Sequence, residues 1–233
     1  MKKIGFLGAY DKTDLIVYIA KLITMTNKKV LVVDATSTQK ARYIVPAINP
    51  TKAYITDYED IDIAVGFSNM EDIQRYLGIA EQKEMEYDIM LVDTDNYEGF
   101  KNFGLKESKR NYFVTSFDNY SLKRGLETLN QLKEVTTLTK VLYAKEILKD
   151  EDDYLNFLSL GYKIVWDDER IYFPIENGDL SVIHENQRIA KIRFKKLSVQ
   201  YKESLILIAQ EIIDDPYGEK IRKVLKSLEK GVW

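Results

Sequence analysis

A short apolar strand that runs into Gly8-Ala9-Tyr10-Asp11-Lys12-Thr13, and from there into an apolar helix, constrains this chain more than any other feature. A helix start leaves backbone N–H groups without partners, and their partial positive charge suits an anion. A lysine and a threonine at the end of such a turn are the residue types that hold phosphate oxygens and a divalent cation. The outline is that of a phosphate-binding P-loop, Gly8 through Thr13, with key glycines missing. The outline points to a fold, and the missing glycines raise the question of whether a nucleotide is still used.

The pattern downstream favours a parallel sheet. Lys3 to Leu7 reads as a buried strand, Asp14 to Thr26 as a helix and Val30 to Val33 as a second strand ending at Asp34. Strands buried on both faces lose polar alternation, which is the mark of parallel sheets covered by helices. Strand, helix and strand within about 30 residues make a βαβ unit. Ser68-Asn69-Met70-Glu71 looks like a capping box opening a helix through Leu77. Tyr87 to Asp93, Asn111 to Thr115 and Lys140 to Ala144 read as strands, with a helix from Ser121 to Glu134. Glu151 to Leu160 reads as a short helix stopped by Gly161, and Tyr162 to Trp166 as the next strand. Residues 167–196 are less regular, and Asn177-Gly178 between Ile171–Pro174 and Leu180–Ile183 signals a hairpin turn. Two helices, Ser198 to Ile213 and Gly218 to Lys230, close the chain. The expectation is one domain over residues 1–233, an α/β fold of three layers with a mostly parallel central sheet flanked by helices.

Composition narrows the chemistry. With no cysteine, the chain has no disulfide, thiolate metal site or cysteine nucleophile. His184 is the single histidine, which argues against histidine triads and multi-histidine metal sites. Beside Glu185 and Asn186 it reads as a structural residue in a polar turn. A net charge of −3 supplies no bulk field toward nucleic acid or anionic lipid. No run reaches the roughly 18 apolar residues of a membrane span. The start, Met1 to Leu7, is too short an apolar run for a signal peptide, so the expected location is cytoplasmic.

Ligands of open parallel sheets bind beyond the carboxyl ends of the strands, where Lys12, Thr13, Asp34 and Asp93 all fall. Here the chain resembles the MinD/ParA group of deviant Walker-A ATPases. In that group the first strand ends in K-G-G-x-G-K-T, the second in an aspartate that is commonly part of D-x-D, and a later one reads like Y-D-x-x-x-x-D-T. This chain has Leu7-Gly8-Ala9-Tyr10-Asp11-Lys12-Thr13, Val30-Leu31-Val32-Val33-Asp34-Ala35-Thr36 and Tyr87-Asp88-Ile89-Met90-Leu91-Val92-Asp93-Thr94. The resemblance implies a P-loop NTPase-like fold, ATP or ADP with Mg²⁺ as cofactor, residues 8–13 as the nucleotide-binding loop, Thr13 and Asp93 at the metal, and Asp34 as the catalytic, water-activating position. It covers residues 1–145 well and the remainder only in the run of its elements.

The departures from that pattern are physical. The family's signature lysine, which reaches the partner's nucleotide across a dimer, falls at Leu7. The first glycine of the wider motif falls at Phe6, the glycine before the lysine at Asp11, and the second member of D-x-D at Thr36. At about 5 Å and an effective dielectric near 20, a carboxylate at Asp11 repels one phosphate charge by about 3 kcal/mol. Asp11 paired with Lys12 or another lysine competes with nucleotide. Leucine supplies no cation to a transition state. Asp34 and Asp93 also have a plain reading, as caps of the turns that follow them. Tyr10 suits stacking on a base, or filling the room left by an absent nucleotide.

Two surfaces suggest partners. Helix 218–230 is amphipathic, with Ile221, Val224, Leu225 and Leu228 on one face, lysines around it and Trp233 at the chain end. It reads as a docked helix or as a membrane-surface helix, and MinD-type proteins carry a membrane-targeting helix at this end. Arg188, Lys191, Arg193, Lys195 and Lys196 form a basic cluster interleaved with apolar residues, as in a strand or helix buried on one side. This is a solvated face or a salt-sensitive DNA patch, in line with the DNA binding of ParA-like relatives. Three expectations follow. The first is a degenerate pseudo-ATPase, TadZ-like in spirit, acting as scaffold or spatial organiser through a homodimer or a partner assembly. The second is an active ATPase that dimerises on Mg-ATP in DNA partition or positioning. The third is a ligand-free adaptor on DNA or membrane, peripheral to the nucleoid or the bilayer.

Overall fold

The computed structural model describes residues 1–46, 52–78, 85–144, 151–174 and 177–230. Strand β1 (Lys2–Leu7) lies centrally, paired in parallel with β5 (Ile89–Thr94) on one side and β6 (Arg110–Ser116) on the other. Next to β5 come β2 (Val30–Asp34), β4 (Asp62–Val65) and β3 (Tyr54–Asp57). Next to β6 come β7 (Thr136–Ala144) and β8 (Ile164–Pro174). Among the described residues the sheet has eight strands, and only the β3–β4 pair is antiparallel.

Helices cover both faces. On one, α1 (Thr13–Thr24) packs against the sheet and is covered by α8 (Val199–Ile213) and α9 (Glu219–Lys230). This sandwiching explains why α1 buries Leu15 through Ile23 almost all round instead of along one stripe. On the other face lie α3 (Met70–Tyr76), α4 (Tyr97–Asn102), α5 (Asn119–Asn130) and α6 (Glu151–Leu158), which bury Ile73, Phe100, Leu126 and Leu155 respectively. The short α2 (Ala41–Ile44) follows β2, and α7 (Asn177–Arg188) follows β8.

Several sequence expectations need correction. The helix after Ser68 is capped one residue later, by Asn69, whose side chain accepts from the Asp72 N–H at 2.9 Å. Asn177-Gly178 opens α7 instead of turning a hairpin, and His184 lies within that helix. Ile183 and Asn186 are buried three residues apart, a helical spacing that a short apolar run does not reveal. The stretch 167–170 belongs to β8, which runs to Pro174, and its register on β7 shifts there. The β3–β4 hairpin went unread because its two-residue turn, Glu59-Asp60, holds φ of 55° and 67° without glycine or asparagine. Lys21 donates to the Glu59 carbonyl at 2.9 Å and Lys191 pairs with the Glu59 carboxylate at 2.9 Å, which ties the turn down.

The basic segment after α7 is neither strand nor helix. Ile192, Phe194 and Leu197 point inward while Lys191, Arg193, Lys195 and Lys196 face solvent, and Lys196 pairs with Glu185 at 3.2 Å. The apolar face of α9 is used within the fold: Ile221 and Leu225 are buried, Val224 and Leu228 pack on the core, and Lys202–Glu229 and Arg222–Glu203 pairs flank it at 2.6 Å. As arranged, that face is not open to a lipid surface. Trp233 lies outside the described residues. Among the described residues no helix is long and apolar enough to cross a membrane.

Candidate functional site

The carboxyl ends of β1, β2 and β5 meet at one rim of the sheet. Asp34 and Asp93 are register partners on adjacent strands, and Lys12 and Thr13 follow β1 into α1. The four residues singled out from strand ends thus lie at the same rim. All four are buried.

Lys12 and Asp93 contact each other, Lys12 and Thr13 contact the loop, and Asp34 bonds the segment after β2. Lys12 Nζ lies 2.7 Å from Asp93 Oδ1 and donates to the Gly8 carbonyl at 2.6 Å. A buried charge persists only when paired and hydrogen-bonded, and here lysine and aspartate neutralise each other. Burial pushes the Asp93 carboxyl up to about 7, opposed by Lys12 and reinforced by Asp34.

Asp34 works as a cap. Its Oδ1 accepts from the Thr36 backbone N–H at 3.0 Å and the Thr36 hydroxyl at 2.6 Å, and its Oδ2 from the Ala41 N–H at 2.9 Å. Gln39, held at φ 51°, donates to the Asp34 carbonyl at 2.8 Å and accepts from the Gly66 N–H at 2.7 Å. Thr36, at the second position of the family's D-x-D, therefore binds Asp34 where an aspartate would repel it.

Within the loop, Gly8 adopts φ 132°, and a Cβ there would lie 2.1 Å from the Val114 carbonyl oxygen, so only glycine fits. Asp11 faces the start of α1. Its Oδ1 accepts from the Thr13 N–H at 3.3 Å, and its Oδ2 pairs with Lys40 at 2.7 Å. The chain places its own carboxylate where the helix start would favour an external anion. Tyr10 lines the cleft and packs on Tyr143 with ring centroids 4.6 Å apart. Burial, with help from Asp11 and Asp118, pushes its phenol up to about 12. Leu7, where the family's cross-dimer lysine would fall, is buried in the core.

Sequence reasoning missed Ser37 and Thr38 in this cleft and four residues that bring a charge or a ring to it, Lys40, Asp95, Tyr120 and Arg124. Asp95 carried a signal, since it follows Asp93-Thr94 at the strand end. Burial alone would raise its carboxyl, but bonds from the Ser37 side chain and backbone and from Asn96 outweigh burial and lower it. For the other three, no local pattern marks the side chain as part of the cleft.

The cleft encloses about 180 Å³, below the roughly 300–1,000 Å³ usual for small-molecule sites. Its lysine is neutralised and its helix start already faces a carboxylate. Among the described residues no group of three or more His, Cys, Asp or Glu gathers to hold a metal ion. As arranged, Lys12 and Asp93 pair with each other, and Asp11 pairs with Lys40.

No protein-family model and no curated protein matches this chain. Solved structures do match its fold. The MinC:MinD cell division protein complex of Aquifex aeolicus aligns at a TM-score of 0.52 and 14% identity, covering 97% of this chain and 96% of that one. A putative plasmid partition protein from Borrelia burgdorferi B31, bound to AMPPNP, aligns at 0.51 and 12% identity, covering 91% and 98%. MinD of Aquifex aeolicus aligns at 0.50 and 12% identity, covering 97% of both chains. The chain thus has the three-layer, mostly parallel fold of ParA/MinD P-loop NTPases.

Proposed function

We propose that residues 1–233 form a single ParA/MinD-like P-loop domain whose nucleotide site is degenerate, and that it acts as a scaffold or spatial organiser through protein contacts. The observation that carries this reading is the buried Lys12–Asp93 pair at 2.7 Å. The lysine that would meet phosphate is spent on the carboxylate that would organise Mg²⁺. Asp11 at the helix start, the cap role of Asp34 and the core position of Leu7 support it. Fold likeness to a MinC:MinD complex suits a role exercised through a protein partner. In this reading the protein resembles atypical, TadZ-like organisers more than a cycling ATPase.

A second reading, an ATPase that binds Mg-ATP and dimerises, draws on the fold shared with a partition protein bound to AMPPNP. It needs the Lys12–Asp93 pair to open and Asp11 to swing away from α1. Titration with a fluorescent ATP analogue and Mg²⁺, read by anisotropy alongside sedimentation velocity, separates the two. The degenerate site predicts no saturation in the micromolar range and no nucleotide-dependent change in mass. Micromolar binding with dimer formation overturns it.

A further inference from the structure

β8 is an edge of the sheet, with no further strand paired on its outer side among the described residues. An edge held on one side only depends on side chains to stay in place. The register of β8 on β7 steps from Leu138–Trp166 to Lys140–Arg170, so β8 carries two extra residues between them. Bulges bend an edge and re-aim its side chains, and here Asp167 and Glu169 meet Arg110 at the start of β6. Arg110 Nη1 lies 3.8 Å from Asp167, 3.1 Å from Glu169 and 2.9 Å from Glu211 of α8. We propose that Glu211, Glu169 and Arg110 form a proton-operated clasp, which fastens the bulged stretch of β8 to α8 in acid and lets it go above neutral pH.

The three carboxylates are held unequally. Asp167 Oδ2 also accepts from the Thr139 hydroxyl of β7 at 3.1 Å, which ties it to the sheet. Glu211 Oε2 accepts from the Tyr112 hydroxyl at 2.7 Å, and its side chain is only 19% exposed. Glu169 stands on the bulge with 61% of its side chain in solvent. Glu169 is therefore the jaw that can leave, and Glu211 the jaw that stays.

Charge sets the two positions. Both glutamates bind the same Arg110 nitrogen, so their carboxylates oppose each other when both are ionised. Burial pushes the Glu211 carboxyl up to about 7; Tyr112 and Arg110 work against this, while a hydrogen bond to Glu169 and the Glu169 charge add to it. With its proton, Glu211 donates to Glu169, and the pair carries one negative charge against one guanidinium. Without the proton, two adjacent anions compete for Arg110, and Asp167 adds a third. The remaining charges at this place are engaged. Lys2 and Lys109 pair with Asp214, Asp215 accepts from the Lys220 and Ile221 N–H groups, and Arg170 has an interaction of its own. The Tyr112 phenol, raised by burial and by Glu211, stays protonated throughout. The closed clasp holds the Glu211 proton more tightly than the open one, so closure weakens as pH rises from 6 to 8.

The test uses the full chain. Carbon-13 carboxyl shifts of labelled glutamate follow the Glu211 titration, and amide hydrogen exchange, corrected for its intrinsic rise with pH, follows the strand. The Glu211 midpoint is expected between pH 6 and 8. Protection of the Asp168, Glu169 and Arg170 amides is expected to fall about tenfold from pH 6 to pH 8, equal to about 1.4 kcal/mol, while the β5 amides keep theirs. Glu211→Gln, whose neutral amide still donates to Glu169, keeps the stretch protected at both pH values. Glu169→Gln, at an exposed position, removes the opposing charge and with it the pH dependence; it decides the matter if Glu211→Gln does not fold. The proposal is overturned by a Glu211 midpoint below pH 5.5, by protection of 168–170 that ignores pH, by an equal fall in β5, or by wild-type pH dependence in Glu169→Gln.

Discussion

The two rims of the sheet treat charge in opposite ways. At the P-loop rim a lysine and two aspartates are buried and joined within the protein, around a cleft of about 180 Å³. At the other rim an arginine and three carboxylates stay partly exposed, beside a cavity of about 680 Å³. A fold that ordinarily opens at the carboxyl ends of its strands has the smaller of these two openings there. Its larger opening lies elsewhere. The position of a motif in a fold therefore does not say whether the motif has a free hand.

The largest expected effect tests the closed rim. Lys12→Met leaves Asp93 buried without its cation, and breaking a buried pair costs about 3–5 kcal/mol. Urea denaturation at pH 7 measures this. A loss under about 1 kcal/mol would mean that Lys12 is not the structural partner described here. Tyr10→Ala removes a partly buried ring from Tyr143 and should lower stability by about 2 kcal/mol, less than the 3–5 of a fully buried aromatic. An unchanged melting curve would break the packing account of the loop.

Asp11→Gly sharpens the comparison. It removes the internal anion from the start of α1 and costs little stability, because the Lys40–Asp11 pair is half exposed. Affinity for Mg-ATP should rise about tenfold, equal to about 1.4 kcal/mol, by anisotropy titration. No gain would place the block in the Lys12–Asp93 pair alone.

The open rim has a pH signature. The folded Glu211 carboxyl sits near 7, above its ordinary value of 4.5. A group raised on folding binds protons more tightly in the native state, so its contribution is present at low pH and is lost as pH rises through 4.5 to 7. Glu211→Gln should flatten that part of the stability profile, as followed by thermal melts from pH 4 to 8. The smallest effect belongs to the α8–α9 surface: Arg222→Ala removes an exposed pair with Glu203 worth about 0–1 kcal/mol. A larger loss would give α9 a firmer docking than its pairs suggest.

Much of the scaffold was legible because its strands are local, nearly continuous apolar runs. Val30–Asp34 and Ile89–Thr94 are wholly buried, and burial on both faces writes itself into composition. The convergence of Lys12, Thr13, Asp34 and Asp93 was legible for the same reason, since strand ends in a parallel sheet share a rim. What stayed hidden depended on partners distant in the chain. The Glu59-Asp60 turn takes left-handed backbone with help from Lys21 and Lys191. α7 shows as a helix only once its buried side is known. Nothing local marks Lys40, or Arg124 within the helix read from Ser121, as a cleft residue.

Residue order alone determined the βαβ framework, the place of the P-loop-like turn and the presence of Phe6 and Asp11 rather than glycine around it, because hydrophobic periodicity and backbone permissiveness are local properties. Tertiary structure alone decided who neutralises whom. Whether Lys12 meets Asp93 or open solvent, whether Asp11 faces α1, and whether Arg110 gathers three carboxylates depend on distances between remote strands, and Coulomb energies in a buried setting follow distance and desolvation rather than sequence spacing.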